Sequence, residues 1–209
     1  MRLGIYGGSF SPIHNGHLLL AESCREQCQL DEVWFLPAAV SPLKQDANPA
    51  SNAHRVAMIE LAIAGNQAFK VSPIELERGG ISYTVDTLRE VQQIVPHAQL
   101  FLLVGADSFA SFSHWRAIDK ICELATICTV GRPGSDLNDW GSLPEVLTDD
   151  QMMEIKEHFV EMPQIGLSST EIRQRIADGR SIRYMVPRSV EKYIETQHVF
   201  RSQDVHVQA

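Results

Sequence analysis

Residues 7–17 read Gly7-Gly8-Ser9-Phe10-Ser11-Pro12-Ile13-His14-Asn15-Gly16-His17. The stretch follows a short apolar run, Leu3-Gly4-Ile5-Tyr6, and precedes a helix-like stretch from Leu18 to Cys28. It therefore reads as a strand, a glycine turn and the start of a helix. Three anion-binding devices coincide there. Gly7 and Gly8 let the backbone approach a ligand with no Cβ in the way. A helix N-terminus offers free N–H groups and the positive end of its dipole. His14 and His17 add ring N–H donors three residues apart. Gly-Gly after a strand is by itself a tight turn, and paired histidines are common on surface helices. The full string His14-x-Gly16-His17 at the first strand-to-helix turn is what makes the segment specific.

Outward from this turn the pattern alternates. Arg2–Tyr6 reads as a strand and His17–Gln27 as a helix with Leu20, Ala21, Cys24 and Cys28 on one face. Val33–Leu36 is a second strand, stopped by Pro37, and 37–49 is a Pro/Ala-rich loop fit to act as a lid. Ser51 or Asn52 caps a helix running to Ala64. Further strands are expected at Phe69–Ser72, Gln99–Val104 and Ala125–Val130, and helices at Thr84–Val95 and Ile118–Leu124. Residues 133–159 read as a surface excursion containing an acidic helix, Asp149–Phe159. Two more helices, Ser169–Asp178 and Pro187–Thr196, pack back on the sheet. This alternation predicts a Rossmann-like α/β fold: a doubly wound parallel sheet with helices on both faces and a C-terminal helical segment. A single domain is expected, with a core over 1–165, the helical part over 166–198 and a frayed tail over 202–209. Ligands of such sheets bind outside the carboxyl ends of the strands, where Gly7-Gly8, Gly105-Ala106-Asp107 and Gly131-Arg132 all fall.

Composition narrows the function. The 209 residues suffice for one α/β core; 44 % are hydrophobic and 21 % charged. With 18 Lys+Arg against 26 Asp+Glu the net charge is −8, which disfavours nucleic acid but leaves room for a small phosphate ligand in a local cluster of donors. No apolar run reaches the length of a membrane span and no secretory signal is evident, so a cytoplasmic protein is expected. Cys24, Cys28, Cys122 and Cys128 form no CxxC pair. Cys24 and Cys28 read either as buried hydrophobes or as half of a metal site, and nothing with zinc spacing accompanies them.

A second signature lies at Leu167-Ser168-Ser169-Thr170-Glu171-Ile172-Arg173. It is a capped helix start, with Ser168 or Ser169 as cap. It is equally a set of hydroxyls, free amides and an arginine suited to an anion.

The two strings, in this order and about 150 residues apart, resemble the HxGH nucleotidyltransferase superfamily. Within it, the Gly7-Gly8-Ser9-Phe10 opening resembles the bacterial nicotinate mononucleotide adenylyltransferases. Other pieces are similar as well: Pro37-Ala38-Ala39-Val40-Ser41-Pro42-Leu43-Lys44, Ser82-Tyr83-Thr84-Val85-Asp86-Thr87, Gly105-Ala106-Asp107, Trp115, Arg132-Pro133-Gly134 and Gly179-Arg180-Ser181-Ile182-Arg183-Tyr184-Met185-Val186-Pro187. Arg55-Val56-Ala57-Met58 resembles a family helix with little direct chemistry. Ser11 stands where many relatives have Asp, and Ser41 and Leu43 where they often have Pro and His.

The resemblance implies an adenylyltransferase that joins ATP and nicotinate mononucleotide, releasing pyrophosphate, with no covalent intermediate. The implied catalytic residues are His14, His17, Lys44 and Arg173. ATP phosphates and ribose fall to Gly7, Gly8, Ser9, Phe10, Gly105, Asp107, Ser168, Ser169 and Thr170. The pyridine nucleotide falls to Tyr83, Thr84, Asp86, Trp115, Arg116 and Arg132. Asp107 also reads as a helix N-cap, and Trp115 as a core aromatic. Mg²⁺ is expected to arrive on the phosphates with no protein ligand. Nucleic acid and membrane are not expected as partners; a homo-oligomer is left open. Nicotinamide mononucleotide, phosphopantetheine and a non-catalytic nucleotide sensor are the competing readings.

Overall fold

The computed structural model describes residues 1–42, 50–131 and 142–201. The chain runs β1 (Arg2–Gly8), α1 (Asn15–Gln27), β2 (Glu32–Pro37), α2 (Asn52–Ile63), β3 (Phe69–Val71), α3 (Ile74–Arg78), α4 (Thr84–Ile94) and β4 (Gln99–Val104). It continues through α5 (Ala106–Phe109), α6 (Ile118–Leu124), β5 (Thr126–Gly131), α7 (Asp149–Glu157), β6 (Phe159–Glu161), α8 (Ser169–Ala177) and α9 (Arg188–Thr196). The six strands form one parallel sheet in the order β3-β2-β1-β4-β5-β6. The chain thus builds outward from β1 to one edge, returns, and builds from β4 to the other. Between the carboxyl ends of β1 and β4 the helices turn away to opposite faces and open a crevice.

Strand periodicity explains the two cores. Leu3 and Ile5 of β1 with Leu100 and Leu102 of β4 face one side, where Leu88, Val91, Ile121 and Ile155 cover them. Tyr6 with Phe101 and Leu103 face the other side, against Leu20, Cys24, Met58, Ile59, Ile172, Val190 and Ile194.

The sequence expectation is corrected at several boundaries. Gly7 and Gly8 are the last residues of β1, not a turn. β2 carries the ladder past them, pairing Gly7 with Leu36 and Gly8 with Pro37, and the Ala38 amide donates to Gly8 O at 2.9 Å. α1 begins at Asn15, two residues before the expected start. α7 stops at Glu157, and Phe159 belongs to β6, a three-residue edge strand beside Thr129–Gly131 and too short to show a period of two. Residues 142–147 run over the surface with Pro144, Glu145 and Val146 exposed, but Leu143 and Leu147 anchor them in the core. α3 and α5 are single-turn helices the pattern did not announce. The tail 202–209, loop residues 43–49 and 132–141 lie outside the described residues. Among the described residues no helix is long and apolar enough to cross a membrane.

Candidate active site

The crevice is a cleft of about 1300 Å³, walled by the turn after β1, the start of α1, the start of α4, the segment after β4 and the segment leading into α8. Its size exceeds the roughly 300–1,000 Å³ of ordinary small-molecule pockets, which suits two nucleotides side by side.

The turn proper spans residues 9–14. Phe10 has φ 45°, and its ring is buried between Tyr6, Phe35 and His17 while its backbone borders the cleft. A Cβ on Gly8 would lie 3.0–3.2 Å from the Phe10 ring, so the residue beside it has to be small.

His14 is the N-cap of α1, a role its sequence neighbours did not suggest. Its Nδ1 accepts from the His17 amide at 3.4 Å, and His17 Nδ1 accepts from the His14 amide at 3.2 Å. This is a capping box built from two imidazoles. Because each Nδ1 accepts a backbone proton, each ring carries its own proton on Nε2. The rings stack with centroids 3.6 Å apart and planes 20° from parallel. Burial pushes the His14 imidazolium pKa down from 6.5 to about 4, so this ring is neutral at pH 7. A Cβ on Gly16 would sit 3.1 Å from His14 Nδ1, which explains the glycine between the histidines.

The second signature packs directly on the first. Ser168, not Ser169, is the α8 cap: its Oγ accepts from the Glu171 amide at 3.1 Å. Ser169 Oγ instead donates to Pro12 O at 2.9 Å. Arg173 Nη1 donates to Ser11 O at 2.8 Å and Nη2 to Thr170 Oγ1 at 3.2 Å. Ser11 Oγ accepts from the Ala50 amide at 2.9 Å, so the buried Ser11 hydroxyl is tied to the chain just before α2 rather than facing solvent.

Beneath the turn lies a residue that the sequence reading placed on a helix with little direct chemistry. Arg55 of α2 is 1 % exposed, donates from Nη1 to Ser9 O at 3.1 Å and from Nη2 to Asn52 Oδ1 at 2.5 Å. The signal was available: an arginine on the same helix face as Met58 and Ile59 is a buried charge or an error in the helix. Glu75 is its counterpart at the other side of the cleft floor. It is 5 % exposed and accepts from Thr87 Oγ1 at 2.6 Å, and burial raises its pKa. Ser82, a second hydroxyl donor to Glu75, receives the Ala39 amide on its Oγ at 3.0 Å.

The opposite wall is looser. Tyr83 and Thr84 open α4 at the cleft, and the Arg116 guanidinium lies 4.6 Å from the centre of the Tyr83 ring. Trp115 is both wall and core edge: it lines the cleft, meets Phe112 edge-on at 5.1 Å, and leaves a buried indole Nε1 without a partner. Gly105 is the N-cap position of α5, which corrects the N-cap reading of Asp107; that carboxylate sits exposed in the first turn, bordering the cleft. Asp86 is not brought to the cleft. Its carboxylate points along the α4 surface to Arg89 at 3.6 Å. Lys44 and Arg132 lie outside the described residues. Among the described residues no group of three or more His, Cys, Asp or Glu is placed to hold a metal, and all four cysteines are free thiols.

A Rossmann-ordered sheet carrying a paired-histidine helix start at its switch point defines a class of nucleotide-handling proteins, and comparison places the chain in it. Residues 5–175 match the cytidylyltransferase-like family, to which the chain belongs. More narrowly, the chain is 45 % identical to the probable nicotinate-nucleotide adenylyltransferase of Thermus thermophilus, over 96 % of this chain and all of that one. It is 41 % identical to the probable nicotinate-nucleotide adenylyltransferase of Rhodopirellula baltica, over 95 % and 93 %. Among solved structures, nicotinic acid mononucleotide adenylyltransferase from Plasmodium falciparum complexed with NaAD superposes with a TM-score of 0.74 at 16 % identity, covering 95 % of this chain and 97 % of the other. At that identity the likeness speaks for the fold.

Proposed function

We propose that the protein transfers the adenylyl group of ATP to nicotinate mononucleotide. An oxygen of the mononucleotide phosphate attacks the α-phosphorus, the bond to the β-phosphate oxygen breaks, and pyrophosphate leaves with nicotinate adenine dinucleotide as product. The attacking phosphate is already an anion at pH 7, so no base is required. Alignment and relief of charge on the leaving pyrophosphate carry the rate.

The observation that carries the reading is the pair of stacked imidazoles, each held by a backbone amide so that its Nε2 bears the proton. His17 donates to the α-phosphate as charge builds there, and neutral His14 to the β-side. Each is worth about 2–4 kcal/mol at the transition state, by analogy with single oxyanion donors. Amides of the Gly8–Phe10 turn cradle the phosphates, and Ser169, Thr170, Arg173 and Lys44 grip the β- and γ-phosphates. Asp107 accepts from ribose hydroxyls, with Gly105 clearing space. Trp115 stacks on the pyridinium, and the Thr84 end of α4 takes the nicotinate carboxylate with Arg116 beside it. Arg132 is assigned to the same substrate on family pattern alone. Mg²⁺ enters on ATP as part of the substrate. The high likeness to nicotinate-nucleotide adenylyltransferases over nearly the whole chain supports this choice of acceptor. Hydrogen bonds between the first and second signatures support one catalytic unit over 1–198, and the four free thiols suit a cytoplasmic setting.

Pyrophosphate release from Mg-ATP tests the proposal, with nicotinate and nicotinamide mononucleotides in parallel. Fast release with the acid and slow release with the amide is expected. Equal rates remove the carboxylate site; release with neither, but with phosphopantetheine, replaces the acceptor. ATP binding without release in any case leaves a sensor.

A further inference from the structure

We propose that Arg55 is a positioning residue for phosphate binding: it holds the Ser9 carbonyl down and keeps an unneutralised positive charge directly behind the turn. The inference rests on the adenylyltransferase reading and extends it to a residue outside the cleft lining.

Three observations carry it. First, Arg55 is 1 % exposed and is the largest fully buried side chain among the described residues, a costly place for a charge. Second, among the described residues no carboxylate forms an ion pair with it. Its partners are two neutral oxygens, Ser9 O and Asn52 Oδ1, and its Nε is buried with none. Glu75 acts on it only at a distance, and that carboxyl is itself driven toward its neutral form by burial. A polyphosphate on the far side of the turn supplies the missing negative charge. Third, the peptide plane gives the contact a direction. In a trans peptide the carbonyl and the following N–H point opposite ways. Drawing Ser9 C=O inward toward α2 turns the Phe10 N–H away from α2. Arg173 holds a second carbonyl, Ser11 O, so the turn is fixed at two points by two arginines. The positive φ of Phe10 lies between these anchors.

The test uses the full chain with Arg55→Met, Arg55→Lys and Asn52→Ala, the last an exposed change that frees one side of the guanidinium. Turnover, KM for Mg-ATP, KM for nicotinate mononucleotide and melting temperature are measured, together with the Phe10 amide resonance during titration with Mg-ATP. Arg55→Met is expected to lose about 30- to 100-fold in kcat/KM for ATP, read well below its melting temperature, with KM for the mononucleotide within about twofold. Lysine, which keeps the charge but not the fork, recovers part of the loss. Asn52→Ala loses about threefold, and in all three variants the Phe10 amide responds less to Mg-ATP. A lower melting temperature with wild-type kinetics and a wild-type amide response overturns the proposal, as does an equal loss for both substrates. If the methionine variant does not fold, the lysine and Asn52→Ala variants decide by the same readouts. A wild type inactive with every acceptor sinks the adenylyltransferase reading instead, and the amide response to Mg-ATP still judges Arg55.

Discussion

The two ends of the cleft are built differently. At the phosphate end five described side chains are held by backbone: His14 and His17 by each other's amides, Ser169 by Pro12 O, Arg173 by Ser11 O, Arg55 by Ser9 O. At the acceptor end Arg116 is exposed, the Trp115 indole N–H has no partner, and Asp86 looks away. The first end is organised before ligand arrives, which is where charge develops during transfer and where reorganisation would cost rate. The second is a set of surfaces that a ring and a ribose complete. Substitutions at the first end should therefore act on turnover, and those at the second on acceptor affinity.

The largest effect is expected at His17. His17→Ala should lower kcat by about 10²–10³ with little change in ATP affinity, measured by steady-state kinetics and ATP titration. Equal losses in both would erase the distinction between the two ends. Next, Trp115→Leu should raise KM for the mononucleotide about tenfold, the scale of losing a stacked cation, with kcat nearly unchanged. A fall in kcat without a KM change would make Trp115 part of the organised end.

How much of this could be read from the chain is uneven for a physical reason. Most strands and helices of six residues or more were legible because their apolar period is long enough to count: β4 and the α2 cap at Ser51 agree with the expectation. β6, α3 and α5 are too short for any period, and the β1 ladder past Gly7 depends on β2, a partner remote in sequence. The site was legible as motifs but not as geometry. His14 as a helix cap is hidden because caps are sought among Ser, Thr, Asp and Asn, and Arg55 was credited with little chemistry because a sequence does not show what a helix face packs against.

Two smaller effects sharpen the comparison. The His14 ring titrates at about 4 when folded against 6.5 ordinarily. The unfolded chain therefore binds the extra proton in that interval, and stability rises with pH there. The contribution is complete above about pH 6.5 and is lost as pH falls to about 4, amounting to roughly 3 kcal/mol. His14→Asn keeps a capping acceptor and should flatten this part of the stability profile in denaturant titrations; an unchanged profile would place the ring in solvent. Last, Asp86→Asn should change every kinetic constant by less than about twofold, since an exposed pair contributes little. A tenfold rise in acceptor KM would bring Asp86 into the cleft on binding and make the acceptor end more mobile than its resting form.

The imidazole capping box couples inheritance of the fold to inheritance of the reaction. The same two rings that are to meet phosphate also terminate α1, so a chain that has not wound this helix has no donors to offer. A misfolded copy is thus chemically silent instead of indiscriminate. Mutational drift meets the same obstacle: a replacement that cannot accept the backbone proton at either position disturbs where a central helix begins, and selection on folding alone would already disfavour part of the change that would lose the catalyst.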